Sequence, residues 1–367
     1  MAIYLVTLAI SIFLCWKMQN RDIALKSSQN HFSSVSIYAI LLVLLLGVVV
    51  GWRKGVGTDY GNYIDIYSLS KGLTISEAFK EKEPLFGILN ALCARWFDNY
   101  ISVFVICAFL SCILIVKGIR QNSSQYLISI FLFFTGMYYF DLFNGMRQMI
   151  ATALLFAAYP LVVKRKWFSL LFVTLIAYGF HASAPIVLLA FLFSAYTKPG
   201  SIFTWALILL FSILYLNYSS FSEWLISALQ RSESIYANYE ESLSQYDIGA
   251  NFLRFALTAV PVFLGCYAWK VMKRQRTDTG ILLNLSIINA LFMLISTKNW
   301  IFARFSMFFG IYNILLWPEI IKCFNRKSKQ IIVIGVICVY FVYFWLIVHT
   351  DSNLLPYRSW LFGGTYG

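Results

Sequence analysis

The sequence predicts an all-α, polytopic integral membrane protein with about 12 transmembrane helices. Three observations carry that prediction. Of the 367 residues, 60% are hydrophobic, and the mean hydropathy is +0.72. Only 12% are charged, against roughly 25% in an average soluble domain. The apolar residues also fall in runs near the ~20 that a helix needs to cross a bilayer. The runs fill a single transmembrane domain over 1–367, with larger loops at 53–98 and 218–250. The net charge of +13 does not point to nucleic acid. Its Lys and Arg residues are scattered through short connectors, where the positive-inside rule places them.

Each element follows in order. Span one, 2–16, has no basic stretch ahead of its apolar core and reads as retained rather than cleaved. Span two is 35–52. The segment 53–98 then carries six basic and six acidic residues, and 84–97 within it is amphipathic enough to lie on the membrane or re-enter it. Spans three and four are 99–116 and 125–143. Spans five and six, 146–163 and 167–180, form a hairpin joined by Lys164-Arg165-Lys166. Span seven, 185–197, is short, and span eight is 201–217. The loop 218–250 has five acidic residues and Tyr218, Tyr236, Tyr239 and Tyr246. It could line a groove for a glycan or form a solvated lid. Span nine begins near Asn251; spans ten, eleven and twelve are 280–297, 300–320 and 330–349.

Orientation follows from the short connectors, which hold 17 of the 29 basic residues on one side. Both termini and both long loops then lie outside. The 27 residues from Trp167 to Phe193 are long for one span and short for two. Two spans keep the basic clusters Lys270–Arg276 and Lys322–Lys329 on the cytoplasmic side, so two are expected.

The hairpin is the centre of the functional reading. Arg147 opens it, the basic turn closes its far end, and His181 stands where it returns. Other cations fall at the same outer depth: Arg53 ends span two, Arg254 and Arg304 lie one turn into spans nine and eleven, and Arg358 is in the tail. An arginine at the centre of a span costs on the order of 3 kcal/mol, and less near an interface, where it can snorkel. Arg53 and Arg358 also read as ordinary flanking charges. Arg147, Arg254 and Arg304 begin spans on the side depleted of charge, and a guanidinium fork matches phosphate. A lipid-linked phosphate or pyrophosphate is the ligand such a set would hold; an anionic headgroup bound structurally is the alternative.

His181 has no second histidine at ligand spacing, so a metal site is not expected. It is either a satisfied structural residue or a group that accepts a proton or donates to phosphate. His31 and His349 sit at span boundaries. In Gly57-Thr58-Asp59-Tyr60-Gly61-Asn62-Tyr63, Asp59 could pair with an arginine or act as a base. Tyr60 and Tyr63 could stack on sugar rings or belong to the aromatic belt. The seven cysteines, Cys15, Cys93, Cys107, Cys112, Cys266, Cys323 and Cys338, form no CxxC pair and read as apolar packing residues.

In this order, several motifs resemble the EpsG branch of the Wzy-type polysaccharide polymerases. They are Gly57-Thr58-Asp59-Tyr60 with Tyr63, Glu83-Pro84-Leu85-Phe86, and Asn144-Gly145-Met146-Arg147-Gln148-Met149-Ile150-Ala151. Lys164-Arg165-Lys166, Phe180-His181-Ala182-Ser183-Ala184 and Leu355-Pro356-Tyr357-Arg358 follow. The resemblance covers nearly the whole chain. One departure is that the arginine expected close before the Gly-x-Asp segment is set back, at Arg53.

The resemblance implies a bacterial inner-membrane glycosyltransferase working at the periplasmic face, without metal or cofactor. It would move a growing glycan from undecaprenyl pyrophosphate onto the non-reducing end of another lipid-linked repeat unit, as in O-antigen or exopolysaccharide synthesis. Its partners would be the lipid-linked donor and acceptor and the bilayer, with a chain-length regulator that could dock on the outer loops. Arg147, Arg254 and Arg304 are then expected as pyrophosphate ligands, and His181 or Asp59 as the group that handles the acceptor proton. Rival readings are a lipid-linked oligosaccharide flippase, which should place charges at midplane and show an internal repeat, and an O-antigen ligase, which uses the same donor. A membrane acyltransferase would want the histidine but not the arginines.

Overall fold

The computed structural model describes residues 1–27, 36–231, 249–350, 353–361 and 365–366. It divides into two compact units, Met1–Pro185 with Phe324–Gly367, and Ile186–Cys323.

The first unit begins with α1 (Ala2–Ser27) and α2 (Ile37–Gly51). The segment expected as a loop folds into three helices: α3 (Tyr60–Ser70), α4 (Ile75–Ala78) and α5 (Pro84–Phe97). Pro84 starts α5 at a position where its missing N–H costs nothing. α5 buries Phe86, Gly87, Asn90, Ala91 and Cys93, and its neighbours are α3, α4, α6 (Ile101–Asn122) and α11 (Trp167–Phe180). Then come α7 (Tyr126–Thr135), α8 (Asp141–Asn144), α9 (Met146–Ala157) and α10 (Tyr159–Val163), with α19 (Arg326–Thr350) returning to pack on α7. The tail adds a two-residue antiparallel ladder, β1 (Tyr357–Arg358) with β2 (Thr365–Tyr366).

The predicted hairpin is present. α9 and α10 run to Val163, the chain reverses at a left-handed Arg165 (φ 54°), and α11 packs back on α9. The turn closes with Lys166 N–H donating to Leu161 O at 2.8 Å. An aromatic core of Tyr4, Phe133, Phe134, Tyr139, Phe140 and Phe143 supports the unit, all buried. Its rings meet edge-on or stacked at 4.3–6.2 Å between centroids.

The second unit holds α12 (Pro185–Tyr196) from Ile186 onward, α13 (Ile202–Leu216), α14 (Tyr218–Arg231), α15 (Phe252–Gln275), α16 (Thr279–Ser296), α17 (Ala303–Gly310) and α18 (Asn313–Lys322). α16 is its axis, buried along most of its length and packed by α13, α15, α17 and α18. Side-chain amides fix its neighbours: Asn284 donates to Thr197 O at 2.7 Å, and Ser306 donates to Asn289 Oδ1 at 2.5 Å. Hydrogen bonds of this kind hold helices together where no hydrophobic contrast does.

The all-α membrane architecture is as predicted. Among the described residues, five helices are long and apolar enough by length and composition to cross a membrane, or up to seven if each of two bent pairs is one span. Those pairs are α13 with α14, bent by 90°, and the helical stretch 300–310 with α18, bent by 58°. Several of the other expected spans are short apolar helices, and span four shows why. α7 has only 10 residues, about 15 Å at 1.5 Å per residue, because Gly136 and a left-handed Met137 (φ 71°) end it. Likewise α9 stops at Ala157, just ahead of Pro160, which has no N–H to continue the ladder. α11 and α12 have 14 and 12 residues, short of the ~30 Å hydrocarbon thickness. His31 and Tyr236, Tyr239 and Tyr246 of the acidic segment lie outside the described residues.

Candidate active site at the mouth of the hairpin

The site is built where three helix ends meet. Arg147 is in the first turn of α9, His181 is the residue that ends α11, and Glu83 stands immediately before Pro84 of α5. Glu83 is 5% exposed and holds the other two. Its Oε2 accepts from Arg147 Nη1 at 2.5 Å, and its Oε1 is 2.8 Å from His181 Nδ1. The backbone N–H of Ala182 donates to Oε1 at 3.2 Å. Burial alone would push this carboxyl up. The His181 hydrogen bond, the Arg147 charge and the Ala182 amide outweigh that and hold it below the usual carboxylate range.

Close packing makes the meeting possible. Gly179 lies in the last turn of α11, and a Cβ there would stand 2.5 Å from Leu85 Cγ. Glycine therefore lets α11 approach the start of α5, where Glu83 and Leu85 flank Pro84. A second approach docks Gly57-Thr58-Asp59 on the turn before α9. The Thr58 N–H donates to Asn144 Oδ1 at 2.7 Å. Gly57 has φ 99°, and a Cβ on it would run into Phe143 O, so only glycine fits.

Arg147 and His181, expected at one mouth, are thus brought together. Arg147 keeps 29% of its side chain exposed, while its Nε is buried without a hydrogen-bond partner. Its backbone N–H donates to Tyr63 Oη at 3.4 Å, and its guanidinium lies over the Tyr63 and Phe86 rings at 5.9 and 5.7 Å. Asp59 is half-buried just ahead of α3, one turn from Tyr63.

Two groups of expected ligands are placed differently. Tyr60 and Tyr63, for which sugar stacking was one expectation, are buried among Phe86, Phe104, Cys107 and Ile150, so their rings are spent on packing. Arg53, expected as a ligand or a flanking charge, is 1% exposed. Its three nitrogens donate to Val50 O, Val56 O and Phe143 O at 2.8–3.1 Å, and its guanidinium packs 4.7 Å from the Phe104 centroid. Burial lowers its pKa to about 10, so it stays charged while serving as a strut. Arg358 is exposed on β1, and its carbonyl accepts from Lys54 N–H at 2.9 Å. Arg254 and Arg304 belong to the second unit; Arg304 lies 5.2 Å over the Trp300 ring.

Glu83 is the residue that sequence reasoning quoted but did not place in the site. The available signal was a carboxylate directly ahead of an apolar helix: such a group is almost never buried without a cationic partner.

Fold and site together define a multi-pass helical membrane protein with a carboxylate-bridged arginine and histidine at one helical hairpin. The model of the EpsG family matches residues 36–359, nearly the whole chain, and the protein belongs to that family of Wzy-like polymerases. It is also similar to the EPS I polysaccharide export inner membrane protein EpsF of Ralstonia nicotianae, at 33% identity over 110 residues. That similarity spans 29% of this chain and 26% of the Ralstonia protein. No solved structure matches the chain.

Proposed function

We propose that the protein is a polysaccharide polymerase of the bacterial inner membrane, acting at the periplasmic face. It transfers a growing glycan from undecaprenyl pyrophosphate to the non-reducing end of another lipid-linked repeat unit. The observation that carries this reading is the convergence on Glu83: three motifs far apart in the chain supply one carboxylate, one guanidinium and one imidazole to a single spot. Family membership supports the same reaction class. In that reaction the anomeric C–O bond to the pyrophosphate breaks, its electron pair leaves with the phosphate, and an acceptor hydroxyl forms the new glycosidic bond and loses a proton. Arg147 stabilises the departing pyrophosphate charge; Arg254 and Arg304, which belong to the second unit, are proposed as phosphate ligands in their own right. His181 or Asp59 receives the proton.

The name of the Ralstonia relative speaks of export, which keeps a transport reading as the alternative. Deleting the gene and displaying the cell's lipopolysaccharide or exopolysaccharide as a ladder separates the two. Collapse to a single repeat unit is the expected outcome, since one unit would still be exported and attached. Loss of even that unit would mean transport or ligation instead.

A further inference from the structure

We propose that Glu83 is the positioning residue that commits His181, rather than Asp59, to take the acceptor proton through its Nε2. This deepens the polymerase reading above and rests on it. An ionised carboxylate can only accept hydrogen bonds, so the 2.8 Å contact from Glu83 Oε1 places the imidazole hydrogen on Nδ1. The neutral ring then carries its lone pair on Nε2, the nitrogen pointing away from Glu83. The same carboxylate stabilises the imidazolium that forms when that lone pair takes a proton, the role a buried carboxylate plays beside a catalytic histidine. His181 retains 14% of its side-chain surface against 5% for Glu83, so the imidazole is the more exposed of the two and Glu83 is too buried to act on substrate itself. Neither of the two Glu83 oxygens that hold Arg147 and His181 is bonded to Asp59 among the contacts of that carboxylate.

The sharing of Glu83 adds a second consequence. Arg147 draws on Oε2 and so competes with His181 for the carboxylate's charge. A pyrophosphate that engages Arg147 offsets its positive charge and leaves more of the carboxylate for the imidazolium. Proton uptake is thereby favoured when the leaving group is in place. Arg147 and Lys82 face the Glu83–His181 pair, Tyr63 faces Arg147, and Asp59 lies near Tyr63.

The test uses the purified full-length protein in lipid nanodiscs, with lipid-linked repeat units isolated from cells deleted for the gene. Chain growth is followed from about pH 5 to pH 9, the range in which an imidazole base shows its acid limb. Glu83→Gln should lower kcat by about 10²-fold. Because the imidazolium loses its countercharge, the acid limb should move to lower pH by about one unit or more. Glu83→Asp, which keeps the charge, should keep the wild-type limb. A slower Glu83→Gln enzyme with an unmoved limb would overturn the proposal, since a purely structural loss has that signature. So would a limb that moves in Asp59→Asn but not in Glu83→Gln. Nitrogen-15 NMR of the wild-type histidines decides the tautomer without any variant: a neutral His181 with its proton on Nδ1 is expected, and one with its proton on Nε2 would sink the proposal. Absence of chain growth by the wild type would count against the polymerase reading itself, while the tautomer measurement still judges the Glu83–His181 arrangement.

Discussion

Arg53 and Arg147 invite comparison because both stand beside an apolar run at the same expected outer depth, Arg53 after one and Arg147 before another. The fold treats them oppositely. Arg53 is sealed at 1% exposure and spends its guanidinium on the carbonyls of Val50, Val56 and Phe143. Carbonyl dipoles stabilise the charge without cancelling it, and nothing can replace them without unfolding the loop they tie. Arg147 is only partly covered, bonds to one carboxylate, and keeps its Nε without a partner. A guanidinium so placed can accept an incoming anion by sharing its donors. An arginine's function is thus decided by whether its donors are committed to backbone, a property that neither spacing nor hydropathy reveals.

The largest expected effect tests the structural half of the comparison. Arg53→Met removes three buried hydrogen bonds and leaves three carbonyls near the Phe104 and Phe143 rings without donors. A loss on the order of 3–5 kcal/mol is expected, seen as a collapse in folded protein recovered from membranes. If the variant accumulates and melts like wild type, the strut assignment is wrong. Arg147→Lys tests the other half. Lysine keeps the charge but not the fork, so the protein should insert and melt near wild type while its activity falls about 10²–10³-fold. Undiminished chain growth would remove Arg147 from phosphate binding.

Most of the fold's class was legible because hydropathy is a summed property: the long runs appear as α1, α6, α15, α16 and α19 almost where expected. The hairpin and the return of Arg147 and His181 to one end of it were legible too, since a basic turn between two apolar runs fixes which ends return together. What escaped was decided by single backbone positions and by tertiary reach. The left-handed Met137 that shortens α7 leaves no periodic trace. Glu83 lies 64 residues from Arg147 and 98 from His181, and only the fold of α3 to α5 carries it to them. The burial of Tyr60 and Tyr63 followed from the same folding of a segment that composition alone marks as a polar loop.

A middle-sized effect should come from the packing that makes the site. In Gly179→Ala the new methyl meets Leu85 Cγ and Cβ, atoms close to the α5 backbone and not easily moved aside. Overpacking of this kind costs about 1–3 kcal/mol, and the shift it forces separates Glu83 from His181. Thermal stability and activity should therefore fall together. Restoration of both by Leu85→Ala in the same chain would confirm that the contact is the cause. An activity loss that Leu85→Ala leaves in place would mean that Gly179 matters for another reason.

Glu83 also gives the site a pH signature, with a defined sign. Its folded-state pKa is depressed, so its contribution to stability is present above the unfolded value of about 4.3 and is lost as pH falls through the folded value. The stability lead of wild type over Glu83→Gln should be full at neutral pH and shrink below about pH 4. A lead that is constant through acid would mean that the carboxylate's charge contributes nothing to holding the helix ends together.

The smallest expected effect is at Tyr63, which sits on the boundary between the two kinds of environment. Its ring belongs to the aromatic core, like the surroundings of Arg53, while its hydroxyl accepts the Arg147 backbone N–H across 3.4 Å. Tyr63→Phe keeps the packing and deletes the hydroxyl's hydrogen bonding to Arg147, a loss of about 0.5–1.5 kcal/mol. Activity should drop modestly, through a raised KM for the lipid-linked donor if the hydroxyl helps to aim Arg147. A drop in melting temperature with an unchanged KM would instead place Tyr63 wholly with the core, moving the edge of the site to Arg147 itself.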